Sequence, residues 1–133
     1  GFGDDSDNYG LVTADLDGDG WLEVVVLGSG RRPLLYRNNC GSGGWLDLEL
    51  VGLRGNRQGF GARVELELGE SSHVREVQSL RGLGQGPSKV HLALGSLAEA
   101  PLLRVVWPDG EVSEATGVPA NHFVTVAHPA LLD

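Results

Sequence analysis

Residues 15–27 read Asp15-Leu16-Asp17-Gly18-Asp19-Gly20-Trp21-Leu22-Glu23-Val24-Val25-Val26-Leu27. Three carboxylates alternate at every second position, and a fourth follows four residues after the third. What comes next decides the fold. A helix–loop–helix calcium loop that opens with alternating acids carries a bidentate Glu at position twelve and a helix on each side. Counted from Asp15, position twelve is Val26, inside the run Val24-Val25-Val26-Leu27. β-Branched side chains lose χ1 freedom in a helix and pack well on a pleated surface, so this run predicts a strand. Residues 9–14 before the loop read as a short strand too. The loop therefore joins two strands, and the chain opens on an all-β pattern.

Acids packed so closely repel one another, and no Lys or Arg stands among them in the sequence. A hard cation compensates such a cluster. Calcium takes six to eight oxygens from carboxylates, backbone carbonyls and water. Gly20 allows the sharp turn that closes such a shell. The expected ligands are the carboxylates of Asp15, Asp17, Asp19 and Glu23, with the carbonyl of Trp21, and the expected cofactor is Ca2+. Magnesium fits less well, because it prefers few protein ligands and keeps its waters. The plainer reading is an acidic surface turn, since Asp-Gly pairs are ordinary turn residues. Four spaced acids exceed what a turn needs.

Charge is distributed in the same sense. The net charge is −8. Residues 1–23 hold seven acids and no base, whereas the other 110 residues hold eleven acids and ten bases. An acidic segment joined to a nearly neutral body lacks the basic footprint that nucleic-acid binding requires. Asp4, Asp5 and Asp7 read as a solvated approach to the loop or as outer ligands. No run of eighteen apolar residues is present, so no membrane-spanning helix is expected. The chain opens on Gly-Phe-Gly rather than Met, as a mature or excised piece would. Cys40 stands alone, which rules out an internal disulfide and leaves a free thiol or a partner for another segment.

The rest of the chain reads as strands at 33–37, 45–51, 61–68, 73–79, 89–93, 102–107, 111–115 and 122–127. Leu46, Leu48 and Leu50 alternate with Asp47 and Glu49, so the three leucines share one face. Trp107-Pro108-Asp109-Gly110 predicts a turn between two strands. Residues 96–100 fit a single helical turn. Many short strands with Gly-rich turns predict a β-sandwich or barrel. A boundary is expected in the Gly-rich stretch 38–44, dividing a partial unit at 1–40 from a domain at 45–133. The first unit is too small to fold alone. It either docks on the second or belongs to a repeat array.

The first unit resembles an FG-GAP or VCBS-type repeat, the blade element of integrin-α-like β-propellers. The matching residues are Gly10, the loop 15–23, Val24 to Leu27, and Leu34-Leu35-Tyr36-Arg37-Asn38. The last loop ligand in that family is usually Asp, and here it is Glu23. The second unit resembles the ASPIC/UnbV domain. The match runs through Trp45-Leu46, Asn56-Arg57-Gln58-Gly59-Phe60-Gly61-Ala62-Arg63-Val64, Arg75-Glu76-Val77, Val90-His91-Leu92-Ala93-Leu94-Gly95 and Val106-Trp107-Pro108-Asp109-Gly110. Ala93 stands where Gly is usual. Proteins with this pairing are similar to cartilage acidic protein and its bacterial relatives. The resemblance implies a calcium-binding, secreted or exported chain cut from the C-terminal end of a longer propeller protein, with contacts to the missing blades.

Other motifs carry less. Gly82-Leu83-Gly84-Gln85-Gly86 lacks the following helix that a nucleotide loop needs, because Pro87 and a strand come next. His73, His91, His122 and His128 are scattered, and His91 inside an apolar strand reads as structural. Ser72 and Ser88 sit in no nucleophile elbow. Asn56-Arg57-Gln58-Gly59 reads as a tight polar turn or, less simply, as a loop presenting a guanidinium. Trp21, Trp45 and Trp107 read as packing residues or as a sugar-stacking surface. The sequence therefore predicts a non-catalytic, extracellular interaction module with a protein or glycan partner. The rivals are an accessory or enzymatic component of a bacterial biosynthetic pathway and a carbohydrate-binding module.

Overall fold

The computed structural model describes residues 7–39, 41–78 and 88–132. Asp4, Asp5, Cys40 and the 82–86 glycine segment lie outside the described residues. Among the described residues the elements are ten strands and one short 3-10 turn. The described residues divide into two compact units, the first running to Gly41 and the second beginning at Ser42.

In the first unit β1 (Asn8–Ala14), β2 (Glu23–Gly28) and β3 (Leu34–Tyr36) form an antiparallel sheet in the order β1-β2-β3. The valine run supplies the central strand. Val26 lies opposite Leu11 on one side and Leu34 on the other. It is buried between these neighbours. Ala14 pairs with Glu23, so the acidic loop 15–22 spans the end of the β1–β2 hairpin.

The second unit is a β-sandwich with open sheets rather than a closed barrel. One sheet has the order β10-β4-β7, from β10 (His122–Ala127), β4 (Gly44–Val51) and β7 (Val90–Gly95). The other has the order β6-β5-β8-β9, from β6 (Ser71–Glu76), β5 (Arg63–Leu68), β8 (Glu99–Val106) and β9 (Val112–Pro119). β10 pairs in parallel with β4, with Val124 opposite Leu48, while the other pairings are antiparallel. The period-two pattern of β4 sends Leu46, Leu48 and Leu50 inward. They meet Val64 and Leu66 of β5, Val90, Leu92 and Leu94 of β7, and Leu103 and Val105 of β8 in one core cluster. Each such buried side chain contributes about 1.5–3 kcal/mol relative to exposure.

The expected helical turn at 96–100 is not formed. Gly95 adopts φ +60°, the Leu97 N–H donates to the Leu94 carbonyl at 3.2 Å, and the chain enters β8 at Glu99. Pairing won over local propensity there: Glu99 lies opposite Pro119 and Ala100 opposite Val118. The same pairing lengthens both strands beyond 102–107 and 111–115. A helical turn lies instead at Pro129–Leu131. His128 caps it and proline opens it, a signal too short to stand out in a periodicity reading.

Candidate metal centre

The acidic loop is built by its own side chains turning back on the backbone. Asp15 accepts from the Gly18 N–H at 2.8 Å and, through its other oxygen, from the Gly20 N–H at 3.0 Å. Asp17 Oδ1 accepts from the Asp19 N–H at 3.3 Å, and Asp19 Oδ1 from the Trp21 N–H at 2.8 Å. Gly18 and Gly20 take φ +79° and +88°, a left-handed backbone that a side chain disfavours. This winding brings oxygens of Asp15, Asp17 and Asp19 within 4.8 Å of one another. Oxygens 2.3–2.6 Å from a shared calcium ion span at most about 5 Å across it. The three aspartates therefore fit a divalent ion with hard-oxygen preference, and their donor set is the one calcium takes.

Glu23 is placed differently. It is 2 % exposed, its Oε2 accepts from the Leu16 N–H at 3.0 Å, and its Oε1 from the Asn38 N–H at 3.4 Å. The buried carboxylate thus ties the start of the loop to the chain leaving β3. It is outside the group of three gathered carboxylates. Trp21 is half-buried and packs over the backbone of Gly41, where a Cβ would come 1.8 Å from the indole.

Among the described residues, one cation does reach the loop. Arg37 Nη2 donates to Asp17 Oδ2 at 2.7 Å. Twenty residues separate the two, so no reading of the acidic stretch alone could find the pair. The register of β2 and β3 makes it: Tyr36 lies opposite Val24, which carries Arg37 to the end of the hairpin where the loop begins.

A second polar constellation lies in the sandwich. His128 is 3 % exposed; its Nε2 lies 2.9 Å from Asp109 Oδ2, and its Nδ1 accepts from the Ala130 N–H at 3.2 Å. With Nδ1 accepting, Nε2 is the nitrogen that donates to Asp109. Burial alone would raise the Asp109 carboxyl. The Glu111 N–H and His128 outweigh it and hold the group below its ordinary range. The Trp107 ring lies 5.0 Å from the His128 ring, and its Nε1 donates to Ser113 Oγ, which donates in turn to the Ala127 carbonyl. These bonds pin the β8–β9 turn to the end of β10. They border a depression of about 210 Å³ that Arg54 and Asn56 also line. Both imidazole nitrogens are engaged within the protein, which suits a brace. Spacing did not suggest this pair, because Asp109 and His128 meet only through β9 and β10.

The remaining sequence candidates fall into structural positions. Asn56 Nδ2 donates to the Phe60 carbonyl and Asn56 Oδ1 accepts from the Phe60 N–H, which closes the 56–60 segment as a tight turn. His91 stacks on Trp45 at 6.3 Å, and the Phe123 ring meets Trp45 edge-on. Trp45 and Trp107 are 7 % and 3 % exposed, so neither offers an open stacking face.

A family model described as ASPIC and UnbV matches residues 52–131, more than half of the chain. The described residues of the match belong to the second unit. No curated protein matches the chain.

Proposed function

The chain belongs to the ASPIC and UnbV family, and from that premise we propose that it is a calcium-stabilised, non-catalytic interaction module. The observation that carries the proposal is the convergence of Asp15, Asp17 and Asp19 within 4.8 Å. Asp15, Asp17 and Asp19 would hold Ca2+ directly, with the Trp21 carbonyl and Glu23 as the further ligands expected from sequence. The ion would supply positive charge that relieves repulsion among the carboxylates. The chain's own residues do the rest. The two glycines wind the loop, Glu23 fastens it to the end of β3, and Trp21 covers Gly41. Because the ligand set exists only in the folded hairpin, ion binding and folding are linked.

The strand–loop–strand unit is proposed as an FG-GAP/VCBS-type blade of a longer, secreted or exported propeller protein. A protein or glycan surface is its proposed partner. In scanning calorimetry, millimolar calcium should raise the melting temperature of the chelator-treated chain, and Asp17→Ala should remove that rise. Identical melting curves with calcium and with chelator would sink the proposal.

A further inference from the structure

The ion pair between Arg37 and Asp17 bears on how the loop would respond to a cation, and the inference from it rests on the calcium reading above. Asp17 has two oxygens. One accepts the Asp19 N–H at 3.3 Å, and the other holds the Arg37 guanidinium at 2.7 Å. The guanidinium is the cation that reaches the cluster among the described residues, and β-sheet register rather than chance delivers it. Its backbone neighbour is fixed as well, since the Asn38 N–H donates to Glu23. The side chain itself is 63 % exposed, so it can swing away without unpacking anything.

We infer that Arg37 is an intrinsic counter-ion of the acidic loop that competes with an incoming cation for Asp17, and that it lowers the affinity of the loop and favours divalent over monovalent ions. An ion that takes Asp17 either removes Oδ2 from the guanidinium or places a second positive charge on the same carboxylate. Both cost free energy. A monovalent ion would exchange one unit charge for another and give up directional N–H···O bonds. A divalent ion brings twice the charge to the three gathered carboxylates and outcompetes the arginine. The arginine thus offsets part of the charge of the three carboxylates at low calcium and gives way to the ion at high calcium. An exposed pair of this kind holds modest energy and is screened by salt, so the effect is one of tuning.

The test is a calorimetric calcium titration of the full 133-residue chain and of its Arg37→Gln variant, in low and in high sodium chloride. Melting curves establish that both are folded. Arg37→Gln should bind calcium about two- to fivefold more tightly at low salt, the weight of an exposed ion pair. It should also lose more of that affinity than the wild type as sodium rises. Equal or weaker binding by the variant, with calcium bound by the wild type, would overturn the inference and leave the calcium reading standing. Binding by the variant alone would uphold the arginine as occupant and refute calcium binding by the native loop. Silence from both would overturn both.

Discussion

Asp109 shows what a single charge does in this protein. Its folded carboxyl lies below the ordinary value because the Glu111 N–H and His128 outweigh burial. A folded value below the unfolded one favours the folded state wherever the group is ionised. That contribution is complete at neutral pH and is lost as pH falls through about 4 and on to the folded value. Asp109→Asn should therefore lower the melting temperature at pH 7, and the gap from wild type should narrow at pH 3. A gap unchanged between the two pH values would mean that shape rather than charge matters at this position. The same residues mark the limit of sequence reading. Asp15, Asp17 and Asp19 were legible because their spacing is local. Arg37 and the Asp109–His128 pair were not, because strand register makes those contacts across 20 and 19 residues. Glu23 was read as a further ligand from its spacing, whereas its buried bonds to Leu16 and Asn38 depend on the fold around it.

Strand propensity was written most clearly where one face is buried. β4 alternates Leu46, Leu48 and Leu50 with polar residues, and it forms as the pattern predicts. Edges were less legible, since pairing extends β8 and β9 past their local signals to join Glu99 with Pro119. The β8–β9 connection follows its sequence: the Gly110 N–H donates to the Trp107 carbonyl at 2.9 Å, and Gly110 takes φ +93°. Alanine at that backbone angle is strained. Gly110→Ala should cost about 1–3 kcal/mol in urea unfolding, a loss tied to the turn rather than to any side-chain contact. An unaltered urea midpoint would show that the turn relaxes freely.

The whole molecule consists of two units with different sources of order. The second, where the family match lies, carries a contiguous apolar core. Leu48 is 0 % exposed at its centre, and Leu48→Ala should destabilise the chain by about 2–5 kcal/mol, read from denaturant unfolding. The first unit is a three-stranded sheet with an acidic loop. Sequence alone gave its strands and its acids, while its counter-ion depended on how the strands register. The central claim, that this loop takes calcium, is tested most directly by calorimetric titration of the chelator-stripped chain with calcium, beside Asp17→Ala. The account predicts saturable binding at a single site in the wild type and none in the variant. Absence of binding heat in the wild type, or an undiminished isotherm in Asp17→Ala, would contradict it.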